Sequence, residues 1–468
     1  MRSGLQANLF ALISICGLLQ VAPVAAQQSN SSVQVGGTQQ IPGAAKIASG
    51  RQADLSFAQA IQLAIENNLA TLLAHERRSE ARGEKQQSLA PLLPNVTGVS
   101  YQASLTENLA ALGFEPGIIP GFNSIFVGPF RNFDARVLLT QTIFDLSAIR
   151  NYQAGRAGVR VSELQESLAR EQVASGTGLI YLEALRADAS VVAAQANVEL
   201  AEALLKLAQD QRNAGVATGV DVTRAQTRLA EQQVGLAQAQ TSSEQARLNL
   251  QRVVGLPLGS SLMLTEHLRF TEDPLPEVGT AVAQANQNRR EIQVAEEQNR
   301  VSRLERQAVR AEYLPSVEFA GDYGVSGITP TRSDLPTRRV VVQLNVPIFN
   351  GGLTRGRLTA ATSRQRQTEL ELSSIRGQVE EDVRLALTTL RTAAAQVRAA
   401  DESVILAQRE LEMARDRFKA GAGDNLEVVT ALTSLANARD ARVTALAQHN
   451  AARLNLAAAL GGAETFRW

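Results

Sequence analysis

The residue types that usually carry chemistry are sparse in this 468-residue chain, and their spacing does not suit it. The histidines, His75, His267 and His449, stand far apart, with no second histidine or acidic cluster at ligand spacing, so they assemble neither a metal site nor an acid–base pair. Cys16 is the single cysteine, which excludes a disulfide framework and a cysteine-ligated metal. No phosphate-cradling Gly-rich loop ends in Gly-Lys-Ser/Thr, no Gly-x-Gly-x-x-Gly turn follows a strand, and no Gly-x-Ser-x-Gly elbow occurs. The expectation is therefore a protein that is not an enzyme and uses no cofactor and no metal. What remains is a pair of acids beside glycine turns. Thr218-Gly219-Val220-Asp221 and Asp424-Asn425-Leu426-Glu427 both read as capping boxes, an N-cap acceptor followed by an acid at the third helical position. Acids there also suit the positive end of a helix dipole.

These two acids are 206 residues apart, and their surroundings repeat at the same offset. Asn213-Ala214-Gly215-Val216 recurs as Lys419-Ala420-Gly421-Ala422, and Ala246-Arg247-Leu248-Asn249-Leu250 as Ala452-Arg453-Leu454-Asn455-Leu456. Earlier in each half, Leu93-Pro94-Asn95-Val96 recurs as Leu314-Pro315-Ser316-Val317, and Thr142-Ile143-Phe144-Asp145 as Pro347-Ile348-Phe349-Asn350. Internal duplication is thus expected, with repeats over 54–268 and 269–468. No proline interrupts 130–256 or 348–468, so both intervals can hold very long helices. Val379, Val383, Ala386, Leu390, Ala393 and Val397 begin a seam of alternating four- and three-residue steps that runs on to Phe418. Shifted back 206 residues, ten of its twelve positions are apolar again, with Thr177 and Arg212 the exceptions. Sustained heptads mean coiled-coil packing. Each outgoing helix should run about 65 residues, or about 100 Å. Glycines near 215–219 and 421–423 end them, and partners return over about 220–254 and 426–460. Helices over about 54–90 and 277–312 are expected to complete each layer.

Prolines frame a different pattern. Residues of about 95–107, 131–144, 316–327 and 338–349 alternate apolar and polar side chains with period two. The apolar sets are Val99, Tyr101, Ala103 and Leu105; Phe133, Ala135, Val137, Leu139 and Ile143; Val317, Phe319, Tyr323 and Val325; and Val340, Val342, Leu344, Val346 and Ile348. Such segments of about 10 residues are the signature of transmembrane barrel strands, one face to lipid and one to a wet lumen. Four strands close no barrel with a lumen, and open edges would be unpaired in lipid. Several copies must then pool strands, most simply as a cyclic oligomer in lipid. The segment 108–131, with Pro116, Pro120 and Pro129, is expected to be an extracellular loop.

Composition agrees. With 46 basic and 46 acidic residues the chain has no surplus cations for nucleic acid. Aromatics at 4% suit thin alanine-rich helices better than large globular cores. Residues 1–26 read as a secretory signal, with Arg2, an apolar run and Val24-Ala25-Ala26, and 27–53 as a flexible segment. Cys16 lies inside the apolar run without the small residue that lipidation needs before it.

Two rounds of helix, LPxV, strand pair, IF(D/N), long helix, glycine tip and returning helix resemble the TolC-like outer-membrane efflux proteins, over about 54–462. The resemblance implies a mixed fold: a twelve-strand β-barrel shared by a homotrimer, continued as a long α-helical coiled-coil barrel through the periplasm. It implies passive conduction in efflux or type I secretion, with a periplasmic adaptor and an inner-membrane pump as partners. It implies a periplasmic gate at the tips. Glu427 takes the place of a ring-forming acid, Asp221 matches the acid of the first half, Thr430 stands where a second acid is frequent, and Phe418 stands where the family has a tyrosine near its latch. The family's latch arginine is Gly423 here. Gly215, Val216, Gly421 and Ala422 match the family's adaptor-contacting tips. The alternative class is a periplasmic coiled-coil adaptor or scaffold without a pore, which usually carries one hairpin and no amphipathic strands.

Overall fold

A computed structural model describes residues 53–112, 126–258, 260–272, 274–332 and 335–468. The signal and most of the flexible segment, Cys16, Pro116 and Pro120 lie outside the described residues. The elements run β1 (Ala53–Leu55), α1 (Phe57–Asn67), α2 (Leu69–Leu89), β2 (Asn95–Asn108), β3 (Phe126–Phe144), α3 (Leu146–Asn213) and α4 (Gly219–Val254). They continue as β4 (Leu262–Leu264), α5 (Val278–Asn288), α6 (Arg290–Ala311), β5 (Ser316–Gly327), β6 (Leu335–Asn345), α7 (Leu353–Lys419) and α8 (Asn425–Ala459).

The long helices follow from the seams. α3 spans 68 residues and α7 spans 67, each returned by a helix of about half its length. On α7 every seam position from Val379 to Phe418 is buried except the half-buried Val404. On α3 only Thr177, Ala184, Ala187, Val198, Ala201 and Ala208 of the corresponding set are buried. The reason is crowding: α3 packs against α1, α2, α6 and α8 as well as α4, so its burial is spread around the helix. Gly178 marks one of the tight approaches. A Cβ there would lie 2.6 Å from Leu454 Cδ2 and 3.1 Å from Phe57 Cζ.

Several expectations need correction. The helices over 54–90 and 277–312 are each broken in two. Asn68 is extended and its side chain accepts from Ala70 N at 2.8 Å, starting a new helix. Arg289 is extended too, and its guanidinium reaches Glu291 at 3.0 Å and Asp382 at 3.1 Å. Ala53 belongs to β1, which pairs in parallel with β4. Buried Tyr181 donates its hydroxyl to the Leu55 carbonyl at 3.0 Å and touches Glu266, which also accepts from Phe57 N at 3.1 Å. Burial and Glu266 together push the Tyr181 phenol well above its ordinary range. That clasp joins residues far apart in sequence, so no local pattern announces it.

The strands form one antiparallel sheet in the order β2-β3-β5-β6, leaving β2 and β6 as its edges. β3 starts at Phe126 rather than after 131, so part of the expected loop is strand. β6 stops at Asn345 instead of 349, because Pro347 cannot donate to a ladder. The register corrects the faces as well. Val137 pairs with Tyr323, and Phe319 with Val342, gathering the apolar sets of β3, β5 and β6 on one face. Val99, however, pairs with Arg136 and Tyr101 with Asp134, so the apolar set of β2 lies on the opposite, polar face.

Candidate functional site

The two tips are the turns between α3 and α4 and between α7 and α8. Both end their outgoing helix with the same motif. Gly215 has φ 75° and Gly421 φ 70°, conformations that cost a side chain energy and a glycine none. Val216 N donates to Gln211 O at 2.9 Å and Gly215 N to Arg212 O at 3.0 Å; Ala422 N donates to Arg417 O at 3.0 Å and Gly421 N to Phe418 O at 3.1 Å. These six-to-one and five-to-two bonds define a Schellman ending. All four of Gly215, Val216, Gly421 and Ala422 are exposed.

Behind the turns the helix ends share one apolar core, built from Leu204, Val222, Leu411, Phe418, Val428 and Leu432 among others. Phe418 is 5% exposed within it. It is therefore a core residue, not a side chain presented to a passage, and burying it stabilises the tip by about 1.5–3 kcal/mol. Its counterpart in the first half, Arg212, is exposed.

The acids divide in role. At the first tip the capping box is present: Asp221 accepts from Thr218 N at 2.8 Å and from the Thr218 hydroxyl at 2.7 Å. Asp221 is 9% exposed. The Thr218 hydrogen bond, chiefly, holds its carboxyl below the usual value, with the Thr218 amide and Arg224 adding to it against the cost of burial. At the second tip the expected box does not form. Asp424 caps alone, accepting from Leu426 N at 3.2 Å, and Glu427 turns to Arg417 Nη2 at 3.4 Å. Thr430 is exposed and bonds back to Leu426 O at 2.8 Å.

The structure also joins the tips through residues that the motifs did not single out. Asn425 is 0% exposed and donates to the Asp221 carbonyl at 2.7 Å. Arg224 stands 3.9 Å from Asp221 and 3.8 Å from Asp424. Thus Asp221, Arg224, Asp424 and Asn425 form one cluster, with the Glu427–Arg417 pair beside it. Spacing i, i+3 from Asp221 could have indicated Arg224; nothing local indicates that Asn425 reaches the other hairpin. Among the described residues no His, Cys, Asp or Glu group could hold a metal ion, and no helix is long and apolar enough to cross a membrane.

An amphipathic four-stranded sheet carried on long helical hairpins defines an outer-membrane channel subunit. The sequence profile described as outer membrane efflux protein matches residues 60–256 and 281–462, and the chain belongs to that family, one of outer-membrane channels for efflux and secretion. It is similar to the alkaline protease secretion protein AprF of Pseudomonas aeruginosa, 28% identical over 326 residues, an alignment that spans 66% of each chain and so just under two thirds of that relative. It is 25% identical over 410 residues to the pyoverdine export outer membrane protein OpmQ of Pseudomonas putida, covering 86% of this chain and 85% of the relative. The fold matches the crystal structure of the Campylobacter jejuni CmeC outer membrane channel with a TM-score of 0.75 at 18% identity, over 88% of this chain and 87% of that one.

Proposed function

We propose that three copies of this chain pool their strands into a closed twelve-strand barrel across the outer membrane and continue into a helical barrel through the periplasm. Cargo passes down it without energy input from this protein, in efflux or type I secretion. In this reading a periplasmic adaptor meets Gly215, Val216, Gly421 and Ala422, and an inner-membrane pump supplies the cargo. Residues 54–268 and 269–468 act as the two repeats, each giving two strands and one long hairpin. Glu427 is the acid that three-fold symmetry brings together near the axis; Asp221 and Thr430 stand nearby, and Phe418 supports them from the core.

The observation that carries this reading is the sheet. Its β3, β5 and β6 expose Val137, Tyr323, Val340, Val342 and Leu344 on one face, and the outer edges of β2 and β6 have no strand partner among the described residues. In lipid such edges cost several kcal/mol for each unpaired group, so closure by further copies is the stable solution. Names of relatives that mention secretion and export support the cargo-conducting role. The test is detergent extraction from outer membranes, mass measurement of the extracted particle, and conductance in planar bilayers. A trimer that conducts is expected. A water-soluble monomer without conductance would overturn the proposal.

A further inference from the structure

The polar face of the sheet presents a charge that its composition hides. Cross-strand pairing puts Asp134, Arg136, Asp322 and Arg339 on that face, together with Val99 and Tyr101. Arg136 holds Asp134 in a forked contact and donates from Nη1 to Asp322 Oδ1 at 3.0 Å. Arg339 donates from Nε to the other Asp322 oxygen at 2.9 Å. Gly324 pairs with Arg136 across the strands, and a Cβ there would collide with the Cβ of Arg136, so the glycine makes room for the fork. The four charges sum to zero, yet they are not equally accessible. Asp134 and Asp322 are 3% and 8% exposed, whereas the Arg339 side chain is 70% exposed and neither of its Nη atoms has a hydrogen-bond partner among the described residues. In the protomer, solvent around this cluster therefore meets a guanidinium, with both of its carboxylates covered; the exposed Glu318 of the same face stands four residues away along β5. Val99 and Tyr101, exposed on β2, supply an apolar and aromatic strip on the same face.

Resting on the reading of the sheet as barrel wall, we propose that this face is a cargo-contact surface for amphiphilic anions. The Arg339 guanidinium pairs with a carboxylate, sulfonate or phosphate, and Tyr101 and Val99 take the apolar body. A guanidinium suits this task because it is weakly hydrated, always charged and able to bond such groups through two parallel N–H donors. An aromatic side chain beside it adds area at little entropic cost. In a narrow wet path a ring of such cations also favours anions over cations.

The test uses the full-length protein in planar bilayers, with 8-anilinonaphthalene-1-sulfonate as the probe and the reversal potential in a KCl gradient as the second reading. The probe is expected to block wild-type current. Arg339→Gln should weaken the block about tenfold or more and move the reversal potential toward cation preference, the loss expected for a charge-assisted contact. Arg339→Lys should keep the reversal potential. Tyr101→Ser should weaken the block about threefold and leave the reversal potential in place, because it removes area and no charge. Migration of each variant as an oligomer on unheated gels controls for assembly. A conducting wild-type channel that the probe does not block, or an Arg339→Gln variant with unchanged block and reversal potential, overturns this inference alone. A wild-type protein that never conducts overturns the barrel reading and this inference with it.

Discussion

At the first tip Asp221 turns its carboxylate back onto Thr218, while Glu427, its counterpart 206 residues on, leaves its own cap and reaches Arg417 at 3.4 Å. The turns themselves are the same Schellman ending. The difference lies in the N-cap. Thr218 has a hydroxyl that can donate to an acid three residues on, so the box closes. Asp424 offers a second carboxylate instead, and like charges within one helical turn repel, so Glu427 swings toward a cation. The core differs in the opposite sense: the second tip buries Phe418 where the first exposes Arg212. On top of a shared core and a cap at each turn, the first tip adds a closed box and the second a buried aromatic, which leaves Glu427 the freer acid of the two.

The strongest way to break this comparison is to remove the aromatic anchor. Phe418→Ala is expected to cost about 3–5 kcal/mol of local stability, while Arg212→Ala stays within about 0.5 kcal/mol. Amide hydrogen exchange over the start of α8 and of α4 reads both, and equal effects would show the tips to be equivalent. Asp221→Ala comes next, at about 1 kcal/mol for a lost cap. Its pH dependence has a definite sign. A carboxyl held below its ordinary value contributes fully above the ordinary carboxylate range and loses that contribution as pH falls through the lowered value. The gap between wild type and Asp221→Ala should therefore be widest near neutrality and shrink in acid, as measured by exchange at the first tip. A gap independent of pH would count against the box as its source. The smallest structural effect belongs to Glu427→Gln. Its exposed pair with Arg417 stabilises by no more than about 1 kcal/mol. Yet the same change should reduce cation preference in planar-bilayer recordings, since Glu427 is the acid proposed near the axis. Unchanged selectivity would leave Glu427 no role beyond its pair with Arg417.

Much of the fold is legible in residue order. The α7 seam places almost all its apolar positions inside, the glycines end both outgoing helices, and three of the four strand faces follow their alternation. The misreadings have physical causes. Asn68 and Arg289 break helices through side-chain contacts that periodicity does not register, and the Asp-Asn-Leu-Glu of the second tip fits a capping motif that repulsion prevents. The apolar set of β2 alternates as well as any other, yet alternation says only that a strand has two faces. Which face joins the neighbour's apolar side is fixed by register, here Val99 against Arg136.

Sequence by itself determined the long hairpins, the glycine turns at their tips and the existence of amphipathic strands, because each depends on side chains within a few residues of one another and on fixed periods of 3.5 and 2. Tertiary structure alone decided that Asn425 grips the Asp221 carbonyl, that Tyr181 clasps Leu55 and Glu266, and that two aspartates lie beneath arginines on one face of the sheet. The Asn425 and Tyr181 contacts join residues 85 to 204 positions apart, and Arg136 reaches an Asp322 that lies 186 positions on. Hydrogen bonds and ion pairs act over about 3–4 Å, so only the packing of whole elements can say which distant groups come within reach.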